Sequence, residues 1–153
     1  GRTGMNGAPR VTLTNRQGLA PLRRREIEAA VRGVLRREGC ELDVEVVFVD
    51  SDGIREVHRR FLGRRGVTDV IAFPLAEGVA PPGTPLLGEV VVCVEKAIVE
   101  ARRRRLPLDR EIVLYAVHGV LHLLGYDDHA AADIRRMRAA ESEALRAAGW
   151  SGR

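Results

Sequence analysis

Two short apolar runs place the strongest constraint on how this chain can fold. Residues 44–49 consist of valine and phenylalanine apart from Glu45, and residues 86–94 form a second run in which Glu89 is the only charged member. β-Branched residues favour an extended backbone, and an apolar run of this length is typical of a strand in the interior of a sheet. We therefore expect a layered protein in which helices pack against a sheet.

Segments with apolar residues at helical spacing lie around these runs. The predicted helices span residues 22–37, 54–61, 95–104, 109–124 and 130–148, and further short strands are predicted over 11–13 and 67–74. Asp109 and Gly125 are expected to cap the two ends of the fourth helix. These elements predict the α+β class, with a mixed sheet of about four strands packed with about five helices in one domain over residues 11–153. Residues 1–10 are predicted to form a flexible leader.

The composition limits the classes of protein to which the chain can belong. Hydrophobic residues make up 45% of the sequence, which is ordinary for a folded globular protein and argues against intrinsic disorder. No apolar stretch reaches the length of a membrane span, and the N-terminal residues lack a signal-peptide pattern. We therefore expect a cytoplasmic protein with no membrane partner. The formal net charge of +4 permits a polyanionic partner such as RNA.

Three of the four histidines lie close together in the segment HGVLHLLGYDDH. His118 and His122 are four residues apart on the predicted helix 109–124, so their imidazoles share a face and can bind one metal ion. A turn at Gly125 allows the chain to fold back, so that a third ligand can come from the residues just beyond it. The segment therefore predicts a metal site on a central helix.

Within this segment, the residues HGVLHLLGYD resemble the signature of the YbeY-type bacterial endoribonucleases, which are rRNA maturation factors. The residues TDVIAFP at 68–74 are similar to the TDVLSFP segment of that family, and LGEVV at 87–91 is similar to its LGD-I-type strand. Met137, Glu141 and the pair Gly149-Trp150 fit the order and spacing of the family as well. The resemblance covers most of the chain from about residue 40 onward.

The resemblance implies a metal-dependent endoribonuclease that is specific for single-stranded RNA. It implies a role in ribosomal RNA maturation, namely small-subunit rRNA 3' end processing, and in ribosome quality control. The implied cofactor is one zinc ion per chain, held by three side chains with an open position for water. The implied partners are rRNA and the ribosome or ribosomal proteins, and we expect no DNA substrate.

The chain departs from the family pattern at the third ligand. The family motif normally ends in GYDH, with a third histidine six residues after the second, but here Asp128 occupies that position and His129 follows it. The downstream register needs no gap, and a carboxylate is a competent zinc ligand. Asp128 is therefore the favoured third ligand and His129 the alternative. Asp127 is expected either to hold a ligating imidazole in place or to cap the turn.

A second departure concerns the arginine that the family often carries before its TDVLSFP segment, where this chain has Leu62. Arg64 lies in a glycine-flanked loop, and we predict that it contacts the scissile phosphate and offsets the charge that develops there. Neighbouring arginines are candidates for RNA binding, namely Arg59, Arg60 and Arg65.

Two other functions are compatible with a histidine pair. A metallopeptidase of the HExxH type needs a glutamate after the first histidine as general base, but this chain has Gly119 there. A non-catalytic ribosome- or RNA-binding module would hold a structural zinc, which usually has four protein ligands rich in cysteine. Cys40 and Cys93 form no CxxC pair, so we expect both to be buried apolar residues.

Overall fold

A computed structural model of the chain describes residues 9–62, 69–74 and 86–150. These residues form one four-stranded sheet of order β1-β2-β4-β3, with β3 antiparallel to β4 and the other neighbours parallel. The strands are β1 (Val11–Arg16), β2 (Asp43–Val49), β3 (Val70–Pro74) and β4 (Leu86–Cys93). The two apolar runs of the sequence therefore supply the two interior strands, and the predicted α+β class is confirmed.

Five α-helices pack with this sheet in the described part of the chain. They are α1 (Arg24–Arg37), α2 (Ser51–Val57), α3 (Val94–Arg104), α4 (Leu108–Leu123) and α5 (Ala131–Ala147). The second helix begins earlier than the sequence predicts because Asp50 caps it, accepting a hydrogen bond from the Gly53 backbone N–H at 2.8 Å. It continues as a π-helical turn over His58–Leu62.

The start of α4 also differs from the prediction. Pro107 is the N-cap residue, and Asp109 lies inside the first turn without capping the helix. Its carboxylate instead accepts from Nε of Arg23 at 2.8 Å, which joins α4 to the start of α1. A negative charge in the first turn still interacts favourably with the helix dipole.

Alternate side chains of a strand point to opposite sides of the sheet, and both interior strands carry buried residues on each side. One face packs against α1, α3 and α4 and carries the side chains of Val44, Val46, Phe48, Val90 and Val92, while α5 packs in turn on α1 and α4. The other face packs against Ile54 of α2 and carries Val47, Val49, Val91 and Cys93. Cys93 is buried as predicted, whereas Cys40 is half-buried against the core, and both thiols are free.

Helix α4 lies directly on β3 and β4. A Cβ atom at Gly119 would lie 2.3 Å from Cγ1 of Val90 and 2.9 Å from Cγ1 of Val70, so only glycine allows this approach. Because Gly119 faces the sheet, the neighbouring His118 is turned to the flank of the helix. This close packing fixes where the histidine face of α4 can point.

Several predictions from the sequence fall outside the described residues. They concern residues 1–8 of the predicted leader and the first residues of the predicted strand 67–74. Within the part of the chain that the structure describes, no helix has the length and apolar character needed to cross a bilayer.

Candidate metal centre

The C-terminal end of α4 turns back on itself at Gly125. Gly125 has a φ of 98°, a left-handed conformation that favours glycine. Its N–H donates to the carbonyl of His122 at 3.0 Å, and the N–H of Tyr126 donates to the carbonyl of Leu121 at 2.9 Å. This pair of bonds is the Schellman arrangement that closes a helix, and Gly125 occupies the C-terminal capping position as predicted. The turn returns the chain toward the histidine face.

Three side chains converge at this turn. Nε2 of His118 and Nε2 of His122 lie 3.1 Å apart, and Oδ2 of Asp128 lies 3.7 Å from the first and 3.4 Å from the second. A tetrahedral metal ion with bonds of about 2.0–2.2 Å keeps its ligand atoms about 3.3–3.6 Å from one another. The spacing of the three atoms therefore fits a single metal ion, and the group has the chemistry of a metal site.

One of the two imidazoles is held by a buried carboxylate. Nδ1 of His118 lies 2.6 Å from Oε2 of Glu141 on α5. Burial by itself lowers the pKa of His118, but the hydrogen bond and charge of Glu141, together with the charges of Asp69 and Asp128, raise it above its ordinary value. The site is therefore an acidic environment that favours a cation.

The cluster is open on one side. The side chains of His118, His122 and Asp128 are 28%, 31% and 40% exposed. An ion held by these three residues would therefore remain within reach of water and of a substrate from solvent, which distinguishes it from a closed structural site.

His129 and Asp127 pair with each other and not with the two imidazoles. Nδ1 of His129 lies 2.7 Å from Oδ1 of Asp127, and the His129 side chain is 86% exposed. Oδ1 of Asp127 also accepts the backbone N–H of Asp128 at 2.7 Å. The structure thus brings Asp128 to His118 and His122. The sequence left two roles open for Asp127, holding a ligating imidazole or capping the turn, and the contacts of Asp127 correspond to the second.

The predicted arginines are spread over different surroundings. Arg59 pairs with Glu56 on the exposed side of its helix. Arg60 lines a groove of about 380 Å³ on the face of the sheet opposite α4, together with Arg16 and Glu89. The two remaining candidates, Arg64 and Arg65, lie outside the described residues.

Sequence reasoning missed the contact between Glu141 and His118. A signal for it exists, since Met137, Glu141, Ala144 and Leu145 share one face of α5 at helical spacing, and all four are buried. A carboxylate on an otherwise apolar face needs a partner. The sequence could have predicted that Glu141 is paired, but the identity of its partner depends on how α5 packs against α4.

The alternative readings of the histidine pair find no support in this geometry. Neither Cys40 nor Cys93 belongs to a potential metal-binding group among the described residues. Position 119, where a metallopeptidase would carry its general base, faces Val90 in the sheet. A side chain at this position could not reach the cluster without displacing the helix.

Comparison with known proteins gives a consistent result. A family model described as Endoribonuclease YbeY matches residues 12–149. A protein named Endoribonuclease YbeY from Anaeromyxobacter sp. (strain Fw109-5) is 41% identical over 114 residues, which is 74% of this chain and 58% of that relative. A protein of the same name from Syntrophotalea carbinolica is 34% identical over 139 residues, which is 87% of this chain and 91% of the relative.

The fold is also found in a solved structure. The solution structure of a Thermotoga maritima protein matches with a TM-score of 0.61 at 22% identity and covers 88% of this chain and 89% of that one. At this level of identity the match concerns the arrangement of strands and helices alone.

Proposed function

Because the chain belongs to the endoribonuclease YbeY family, we propose that it is a zinc-dependent endoribonuclease that cleaves single-stranded RNA. We further propose that its substrate is ribosomal RNA, in small-subunit 3' end processing and ribosome quality control. The ribosome or ribosomal proteins would then be its partners, and the cytoplasm its location. In this proposal residues 11–153 act as one domain.

The observation that carries the proposal is the three-atom cluster at the end of α4. Two imidazole nitrogens and one carboxylate oxygen, each 3.1–3.7 Å from the others, suit zinc in both donor type and spacing. Three protein ligands leave one coordination position free, which is the pattern of catalytic rather than structural zinc sites. His118, His122 and Asp128 are the ligands in this proposal.

A bound zinc ion would supply water of lowered pKa near neutral pH and would polarise a phosphoryl oxygen. Side chains of the protein would hold the ion. His118 and His122 would present Nε2 to the ion, and the carboxylate of Asp128 would complete the ligand set. In this proposal, the substrate is a flexible single strand that reaches the partly exposed cluster from solvent.

Arginines would supply affinity for the RNA backbone. We propose that Arg64 offsets the negative charge that builds up on the phosphate during cleavage, and that Arg65 binds an adjacent phosphate. Arg59 and Arg60 would contact the strand farther from the cut bond, since Arg60 lines the groove on the other face of the sheet. Their contribution would fall as the salt concentration rises.

The proposal is tested by measuring zinc and RNA cleavage on the same preparations. The wild-type chain should contain about one zinc per chain and should cut a single-stranded RNA that spans the 3' end of small-subunit rRNA. A chelator should abolish cleavage, and added zinc should restore it. The double variant His118→Ala, His122→Ala should lose both the metal and the activity while keeping the circular dichroism spectrum of the wild type.

Other outcomes would each contradict a named part of the proposal. Stoichiometric zinc in the double variant would show that the metal binds elsewhere. Tight RNA binding by the zinc-loaded protein without cleavage would support a non-catalytic module. Chelator-sensitive digestion of casein would support a metallopeptidase, although Gly119 cannot act as the base that such an enzyme needs.

A further inference from the structure

We propose that Glu141 is a positioning residue of the metal centre, which fixes the ring and the tautomer of His118 from helix α5. The proposal rests on the proposed metal site and adds a residue to it. Sequence reasoning assigned the supporting role to Asp127 as one alternative, but in the structure the carboxylate that contacts a clustered imidazole through Nδ1 belongs to Glu141.

The hydrogen bond itself dictates the tautomer. An ionised carboxylate can only accept hydrogen bonds, so the 2.6 Å contact requires Nδ1 of His118 to carry the proton. Nε2 of the neutral ring is then left with a free lone pair, and this is the atom that lies 3.1 Å from Nε2 of His122. The bond to Glu141 therefore presents the correct nitrogen of His118 to a metal ion.

The surroundings of Glu141 hold its carboxylate in place. The residue is 8% exposed, and it sits on the buried face of α5 next to Met137, Ala144 and Leu145. Burying a carboxylate is costly unless it is paired and hydrogen-bonded. The hydrogen bond to a ligating histidine offsets this cost for Glu141.

The two clustered histidines differ in the contacts that hold their rings in place. In the described part of the chain, the polar contacts of His122 are with Nε2 of His118 and with Oδ2 of Asp128, all through its own Nε2. His118 thus receives orientation from a second helix, whereas His122 depends on its position on α4. The metal centre consequently spans α4, α5 and the turn between them.

Helix α5 also offers a matched control. Glu143 is two residues from Glu141 but exposed, and its carboxylate lies 3.9 Å from Nε of Arg37 at the surface. Glu141→Gln and Glu143→Gln make the same chemical change, one beside the metal centre and one outside it. Glu141→Ala then removes the acceptor altogether.

The tautomer of His118 can be read without metal or RNA. Nitrogen-15 NMR of the metal-free protein, at a pH where the ring is neutral, should show the proton of His118 on Nδ1 in the wild type and in Glu143→Gln. In Glu141→Ala the two tautomers should mix. Zinc titration should show a loss of affinity of about 10–100-fold in Glu141→Gln and Glu141→Ala, as is usual for residues that support a metal ligand. Glu143→Gln should bind zinc within about twofold of the wild type.

The readouts separate this proposal from the one on which it rests. A wild-type chain that binds no zinc would contradict the proposed function, and the NMR experiment would still decide the role of Glu141. An unchanged His118 tautomer in Glu141→Ala would overturn the positioning role. Unchanged zinc affinity in both Glu141 variants would overturn the positioning role as well. If Glu141→Ala fails to fold, the nearly isosteric Glu141→Gln provides the affinity measurement.

Discussion

Asp128 and His129 are adjacent, yet the structure predicts opposite effects of removing them on zinc affinity. Oδ2 of Asp128 lies within 3.4 and 3.7 Å of the two clustered imidazole nitrogens. The ring of His129 is paired with Asp127 instead, and its side chain is 86% exposed. We therefore expect Asp128→Ala to lose zinc affinity and His129→Ala to retain it.

The expected magnitude follows from the number of ligands. Four-ligand zinc sites bind with about 10–16 kcal/mol, so one ligand contributes on average about 2.5–4 kcal/mol. At about 1.4 kcal/mol per factor of ten, Asp128→Ala should weaken zinc binding by about 10²–10³-fold. The exposed pair formed by His129 stabilises the turn by about 1 kcal/mol or less, so His129→Ala should change zinc affinity by less than about fivefold.

The assay is a competition titration of zinc between each variant and a chromophoric chelator at neutral pH. Asp128→Asn serves as an intermediate case, because it keeps an oxygen donor and removes the negative charge. Loss of zinc binding in His129→Ala, with normal binding in Asp128→Ala, would show that Asp128 is not the third ligand. That result would mean that the turn after Gly125 brings residue 129 to the histidine face in solution.

Three further predictions test the packing, the electrostatics and the RNA interface. Gly119→Ala should lower the free energy of unfolding by about 1–3 kcal/mol, because its Cβ would lie 2.3 Å from Cγ1 of Val90; a melting temperature equal to that of the wild type would contradict this. Burial, the charge of Glu45 and a hydrogen bond with Glu45 raise the pKa of Glu89. Glu89 therefore contributes stability below its unfolded pKa of about 4.3 that is lost as the pH rises through its folded pKa. Glu89→Gln should accordingly be more stable than the wild type in urea unfolding at neutral pH, with the difference vanishing in acid, and a difference that persists in acid would exclude this cause. Arg60→Ala should weaken binding of single-stranded RNA and reduce the salt slope by about one without changing zinc affinity, and a variant that lost turnover alone would place Arg60 at the cut bond.

Much of the fold is encoded in local patterns of the sequence. The valine-rich run at 44–49 and the run at 86–94 predict interior strands, and β2 and β4 occupy those positions. Local patterns are reliable here because a strand that is buried on both faces is apolar over most of its length. The ends of elements are less well predicted, as at the start of α4, where the ion pair of Asp109 with Arg23 depends on a distant helix.

Some features of the candidate site can likewise be predicted from the sequence, and others cannot. The four-residue spacing of His118 and His122 and the glycine at position 125 are sufficient to predict that two imidazoles share a face and that the chain turns back beyond them. These features are local, since they depend on the geometry of one helix and its cap. The choice between Asp128 and His129 as the partner of those imidazoles was open in the sequence. Adjacent side chains point in different directions, and the path of the turn determines which of the two faces the imidazoles.

Contacts between separate elements could be decided by the tertiary structure alone. Glu141 reaches His118 across 23 positions of the sequence because α5 packs beside α4. Gly119 is required because α4 lies on Val90 and Val70, two side chains from different strands. Local sequence patterns are sufficient to identify the residues that can bind a metal and the segments that are buried. The packing of helices on the sheet decided which carboxylates meet those histidines, because such contacts depend on distances between elements that no local pattern contains.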